Sequence, residues 1–309
     1  MSEYFKRKPI FSKTISSEDV RAGFAKLLAD KKGVALIGVT QAIEAIIIER
    51  QAKIRQIPVA LYLSGAGLST SLGIPDIGVM DLEDVVYAVK TISRVTNLPL
   101  LVDIDTGYED IEHTIKEIEA AGAAGVHVED QLFPKRCGHL DGKELVSKKE
   151  MIAKIKKAVD AKTDKNFIIM ARSDAKAVEG FDAMIDRLDA YIESGADAIF
   201  PEAMTGVEDF TRVAETFNVP MLANLTENGK TPLGLEDILK RLGYSLLLYP
   251  VTYMRAHMKS LGHATDILLN EGNKNLAKMV MARQDAMQLL NYDQYVSQDE
   301  KLGNHGYEA

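Results

Sequence analysis

Two aspartates, Asp103 and Asp105, lie two positions apart at the end of the apolar run 99–104. On an extended backbone, residues i and i+2 face the same way, so both carboxylates point to one side. Carboxylates held that close repel each other unless a cation sits between them. Oxygen ligands with no histidine beside them favour Mg2+ or Mn2+ over Zn2+. The alternative is a helix N-cap role for one aspartate, with Gly107 making the turn. Glu129 closes the run Gly125–Glu129 and is expected to reach the same ion through water.

A second cluster, Lys135-Arg136-Cys137-Gly138-His139, follows that run and contains the chain's single cysteine. Two cations and a histidine beside a thiol can tune its pKa, making Cys137 an acid or a nucleophile with His139 at hand. The plain alternative is a surface cysteine among solvated charges. Arginines that could grip an anion are Arg172, ending the run 167–172, and Arg255, just after the run 246–250. A guanidinium binds a carboxylate through two parallel hydrogen bonds. Arg283, in a late helical stretch, reads more readily as a solvated helical residue. His113, His127, His257 and His263 show no ligand spacing and read as structural or surface residues. The 12 methionines fall mostly at helical core positions and imply no cofactor. Gly65 and Gly67 follow a strand, but no GxGxxG accompanies them, which speaks against dinucleotide binding.

These residues need a scaffold that brings strand ends together. Short apolar runs occur at residues 34–39, 59–64, 99–104, 125–129, 167–172, 198–201, 220–225 and 246–250, separated by amphipathic helical segments. Nearly continuous apolar strands imply burial on both faces and hence a parallel sheet. Eight such alternations predict an α/β fold, a (β/α)8 TIM-type barrel, whose site lies at the C-terminal ends of the strands. There the runs end in Ser64-Gly65-Ala66, Asp103 and Asp105, Glu129, Arg172, Glu202, Asn224 and Thr226, so charged and polar groups converge on one mouth. Two further helical stretches, 254–269 and 276–290, exceed what one barrel needs. The expected organisation is an N-terminal tail and leading helix (1–30), the barrel with its C-terminal helices (31–296) and a flexible tail (297–309).

The 309 residues suit one such barrel, and the net charge of −8 argues against nucleic-acid or anionic-membrane partners. An acidic protein that binds a polyanion must concentrate cations locally. One cysteine excludes an internal disulfide and fits a reducing compartment. No apolar run is long enough to span a bilayer. No apolar segment follows Lys6, Arg7 and Lys8, so a cytoplasmic location is expected.

With those residues in hand, the chain resembles the isocitrate lyase/phosphoenolpyruvate mutase superfamily from about residue 33 to 295. The resemblance is carried by YLSGAG (62–67), GIPDIG (73–78), LLVDIDTGY (100–108) and GVHVEDQ (125–131). It continues in KRCGH (135–139), ARSDA (171–175), FPEAM (200–204), LANLTE (222–227) and LYPVTYMR (248–255). KRCGH is specific for the lyase branch. The resemblance implies a Mg2+-dependent carbon–carbon lyase that cleaves 2-methylisocitrate to pyruvate and succinate by a retro-aldol step. It implies Mg2+ on Asp103 and Asp105, Cys137 as general acid, and Tyr62 as candidate base. Substrate contacts carried over are Ser64, Gly65, Ala66, Cys137, Gly138, Arg172, Glu202, Asn224, Thr226, Arg255 and Arg283. It further implies C-terminal helices swapped between subunits in a homotetramer. An oxaloacetate decarboxylase or a 2,3-dimethylmalate lyase on the same scaffold is the enzymatic alternative, and a catalytically silent binding barrel the other. Three places depart from the pattern: Asn228 where Phe is usual, Thr40-Gln41-Ala42 after the first strand, and a longer first βα unit.

Overall fold

β-branched runs bounded by glycine and capped helices settle into the architecture that their spacing predicts. A computed structural model of the chain describes residues 8–135 and 142–301. Its strands are β1 (Val34–Val39), β2 (Val59–Leu63), β3 (Leu100–Asp103), β4 (Gly125–Glu129), β5 (Ile168–Ser173), β6 (Ala198–Pro201), β7 (Leu222–Asn224) and β8 (Leu246–Tyr249). All pair in parallel, in the order β6-β5-β4-β3-β2-β1-β8-β7. A parallel bridge from Ile199 to Met221 closes β6 onto β7, completing the (β/α)8 barrel. Each strand lies on its expected run, shifted or trimmed by a residue or two at the ends.

The chain divides into two compact units. Residues 13–255 hold the barrel; among the described residues, 8–12 and 256–301 make the other. The barrel has two apolar layers because its strands are buried on both faces. Leu36, Ala60, Leu101, Met170, Phe200 and Leu248 fill the interior. A larger set, including Val102, Val126, Ile169 and Ile199, packs outward against the helices. Helix α1 (Ser17–Ala29) adds Val20, Phe24 and Leu28 to the inner set. Its start is fixed by Ser16, whose hydroxyl accepts from the Asp19 N–H at 3.0 Å. Arg21 donates to the Ala123 carbonyl at 3.3 Å and Ser245 to that of Leu28 at 2.7 Å. Both residues lie just ahead of strands, so α1 plugs the N-terminal end and leaves the opposite end as the mouth.

In the second unit, the Tyr295 hydroxyl accepts from the Ile10 N–H at 2.7 Å and donates to the Ile10 carbonyl at 3.2 Å. The helix Tyr292–Lys301 runs past Ser297, where the sequence suggests a tail. Among the described residues, no helix is long and apolar enough to cross a membrane.

Gly38 shows how tightly the β1–β8 seam is built. A Cβ there would lie 2.0 Å from the Pro250 carbonyl oxygen, a backbone atom that no side-chain rotation can move aside. Gly38→Ala should therefore cost about 2 kcal/mol or more and lower the melting midpoint by at least about 4 °C. A variant melting with wild type in calorimetry would contradict this packing.

Candidate active site

Period-two alternation on each strand carries the inner apolar set upward into polar side chains. Met170 is followed by Arg172, Phe200 by Glu202, Leu222 by Asn224 and Tyr62 by Ser64. Parallel pairing sets Asp103 beside His127 and Glu129 beside Arg172. These ends surround a cavity of about 410 Å³ at the mouth. Tyr62, Ser64, Ala66, Asp103, Glu129, Arg172, Glu202, Asn224, Thr226 and Arg255 line it, all expected from the sequence, whereas Gly65, Asp105 and Arg283, also expected, do not.

Asp103 and Asp105 are 7% and 8% exposed, so their mutual repulsion is poorly screened. Asp103 Oδ1 accepts from the Asp105 N–H at 3.1 Å, and Oδ2 from the Gly65 N–H at 3.1 Å and the Tyr62 hydroxyl at 3.3 Å. Neither aspartate caps the following helix; Asp110 does, accepting from the Glu112 and His113 N–H groups. Burial pushes Asp103 upward, but the charges of His127, Lys135 and Arg172 outweigh it and hold the carboxyl at about 2. Burial and then the Asp103 charge drive Asp105 up to about 6, against the pull of Lys135.

The pair suits a hard dication. A Cβ on Gly65 would lie 3.1 Å from Asp103 Oδ2 and 3.2 Å from Asp105 Oδ1, so both oxygens converge beside a residue with no side chain. Asp105 Oδ1 is buried and accepts no well-directed hydrogen bond, although the Lys135 ammonium is 2.8 Å away. Among the described residues, no group of three His, Cys, Asp or Glu side chains forms a full protein cage. Mg2+ does not require one, since it retains waters and commonly takes one or two carboxylates. Glu129 Oε1 is likewise buried without a hydrogen bond, and burial pushes its carboxyl well up.

Arg172 supplies the buried cation. Its Nε and Nη2 donate to Asp174 at 2.9 and 3.2 Å, and Nη1 lies 3.2 Å from Glu129 Oε2. The guanidinium carbon is 5.2 Å from the Phe200 ring centroid. Glu202 accepts from the Asn224 amide at 3.2 Å, and Asn224 Oδ1 from the Thr226 N–H at 3.2 Å. Ser64 caps the helix Gly65–Ser71, accepting from the Gly67 N–H at 3.2 Å. Arg255 donates to the Glu227 carbonyl at 2.6 Å. Cys137, Gly138 and His139 lie outside the described residues. Arg283 opens the helix Arg283–Leu289 in the other unit.

Three participants were missed or misread from sequence. His127, expected to be structural or superficial, is fully buried inside the barrel, 2.6 Å from the Tyr62 hydroxyl and 3.4 Å from Asp103 Oδ1. Burial lowers it to about 4, so the imidazole is neutral at pH 7. Its place two residues before Glu129 on one strand was the available signal. Burial, reinforced by Asp103, pushes the Tyr62 phenol well above its ordinary value. Lys135 forms ion pairs with Asp105 and Asp76. Asp76 lies far from any strand end in sequence, and no spacing argument reaches it. His113 lies on the helix Ile111–Ala120, and His257 and His263 on Thr252–Glu271, none lining the cavity.

Residues 24–269 match the family model described as phosphoenolpyruvate phosphomutase. The chain is 42% identical over 287 residues to the 2-methylisocitrate lyase of Escherichia coli (strain K12), covering 91% of this chain and 94% of the relative. A crystal structure of a 2,3-dimethylmalate lyase, a PEP mutase/isocitrate lyase superfamily member, superposes with a TM-score of 0.85 at 26% identity, over 96% of this chain and 99% of the other. A phosphonopyruvate hydrolase complexed with oxalate and Mg2+ shares the fold with a TM-score of 0.79 at 22% identity, over 93% of this chain and 99% of the other.

The Asp105 carboxyl, raised from 3.8 to about 6, keeps its proton in the fold at pH values where the unfolded chain has lost it. Its contribution to stability therefore falls as pH rises through that window. Asp105→Asn should melt above wild type in chelator at pH 7, with the gap narrowing in acid. Added Mg2+ should raise the wild-type midpoint and leave the variant's unchanged; a wild type indifferent to Mg2+ would count against the pair as ligands.

Proposed function

The chain belongs to the phosphoenolpyruvate phosphomutase family, within the PEP mutase/isocitrate lyase superfamily, and we propose that it is the lyase of that group which cleaves 2-methylisocitrate to pyruvate and succinate. The observation that carries this reading is one cavity lined by both a buried aspartate and a buried arginine, in a chain similar over 91% of its length to a 2-methylisocitrate lyase. Asp103 and Asp105 would hold Mg2+, or Mn2+ in its place, with Glu129 as a water-mediated partner. When bound, the ion supplies Lewis-acid charge to the hydroxyl and carboxylate oxygens of the substrate.

The remaining work falls to the chain itself. Arg172 grips the anionic end of the substrate, bordered by Ser64, Gly65 and Ala66. A standing phenolate at Tyr62 is disfavoured by burial and by Asp103. Against that push the Arg172 charge favours the phenolate, and in that form Tyr62 takes the C2 hydroxyl proton as base. The C2–C3 bond breaks, C2 becomes the pyruvate carbonyl, and the electron pair moves onto C3 and its carboxylate. Arg255, with the amide of Asn224 and the hydroxyl of Thr226, stabilises that dianion, a contribution of roughly 3 kcal/mol per well-placed donor. Glu202 orients Asn224. Cys137 protonates C3 to give succinate, and His139 restores the thiol proton.

The C-terminal helices present an exposed apolar face that includes Leu261, Leu268, Leu269 and Val280. We assign that face to helix exchange between subunits of a homotetramer, in a cytoplasmic enzyme with no nucleic-acid or membrane partner. The expected three-part chain organisation belongs to this proposal: a leading helix up to residue 30, the barrel with its exchanged helices to 296, and a tail.

A coupled pyruvate assay with Mg2+ should give cleavage of 2-methylisocitrate well above that of oxaloacetate or 2,3-dimethylmalate. Chelator should abolish turnover and Mg2+ restore it. Preference for either rival acid would replace this reading with that enzyme, and no turnover of any would favour a silent binding barrel. Cys137→Ser should retain substrate affinity while losing on the order of a hundredfold or more in turnover. Parallel loss of affinity and rate would remove Cys137 from the role of acid.

A further inference from the structure

Lys143 is a buried cation for which the chemistry above has no use. Its side chain is 1% exposed, and it does not line the cavity. Burying an ammonium is costly unless a specific partner repays it, so a residue that merely filled space there would be apolar. One of its partners is Asp174: Nζ donates to Oδ1 at 2.7 Å. The same oxygen accepts from Arg172 Nη2 at 3.2 Å, and Oδ2 from Arg172 Nε at 2.9 Å. The backbone beneath Asp174 is anchored as well: its N–H donates to Asp130 Oδ1 at 2.9 Å, and Ser173 Oγ donates to Asp130 Oδ2 at 2.7 Å.

The charge count decides what this arrangement does. Arg172 lies between two carboxylates, Asp174 and Glu129. Glu202 is a third carboxylate acting on Arg172, so Lys143 offsets part of an acidic surround. Without it, that surround would be more negative still at the one place where an anion must bind. We propose that Lys143 is a positioning residue for Arg172: by sharing Asp174, it leaves guanidinium charge available to an anionic carboxylate ligand in the cavity. This inference rests on reading the cavity as a carboxylate site, and it does not require that 2-methylisocitrate be the substrate.

Calorimetric titration of the full chain with oxalate in Mg2+ tests it, alongside steady-state kinetics and thermal melts. K143M should weaken oxalate binding by about tenfold or more and raise KM to match, with a smaller effect on kcat. The double variant K143M/D174N removes the unshared carboxylate together with the lysine, and should recover most of the lost affinity. A merely structural lysine predicts the reverse: lower melting midpoints, unchanged affinity per folded molecule, and a double variant no better than the single. Either unchanged oxalate affinity in K143M or no recovery in the double variant overturns the proposal. Should K143M fail to fold, the double variant against wild type carries the test, and a loss of about tenfold or more overturns it. Wild type that binds oxalate but does not cleave 2-methylisocitrate removes the lyase reading and leaves this one standing. Wild type that does not bind oxalate removes the anion site itself.

Discussion

The repulsion between two buried carboxylates, Asp103 and Asp105, is the constraint around which the mouth of the barrel is organised. In water such a pair would coexist at little cost, but here both are largely withdrawn from solvent. The site divides the burden unequally. Asp103 receives the Gly65 N–H, the Tyr62 hydroxyl and the neighbouring His127. Asp105 is left with Lys135. That asymmetry keeps one carboxylate firmly ionised and the other reluctant, a state that a divalent cation relieves. Glycine at 65 belongs to the same arrangement, because any side chain there would occupy the point on which the two oxygens converge.

An acidic chain that handles an acidic ligand has to sort its charges in space. The net charge of −8 is spread over the whole sequence, and the mouth itself is lined by five carboxylates, Asp76, Asp103, Glu129, Glu202 and Glu227, against three cations, Lys135, Arg172 and Arg255. Lys135, Lys143 and Arg172 are each buried and each set against named carboxylates. Long-range attraction contributes little to capturing an anion under these conditions. Short, desolvated contacts at the strand ends have to supply the affinity, and closing water out of the mouth strengthens every one of them.

The barrel makes such precision possible by separating support from chemistry. Alternate residues of one strand serve both, as Met170 packs the interior and Arg172 works at the rim. The α1 plug seals the far end, so the apolar layer beneath the site is dry and stiff. A rim residue misplaced by one register step would point outward into the helices, which is why strand register and site geometry are a single problem here.

Much of this was legible in the residues themselves. Apolar runs bounded by glycine predicted eight parallel strands, because hydrophobic periodicity and turn chemistry are local properties of the chain. The i, i+2 spacing of Asp103 and Asp105 predicted a shared direction for the same reason. The N-cap alternative was open until the fold placed Asp110 at the start of the next helix. What only the tertiary structure decided are the partnerships between distant segments: Lys135 with Asp76, His127 with Tyr62, and Lys143 with Asp174. Sequence states which charges exist and which way a strand turns them. Barrel closure decides which of them meet, since pairing energies depend on distance and burial, and neither is a property of the chain before it folds.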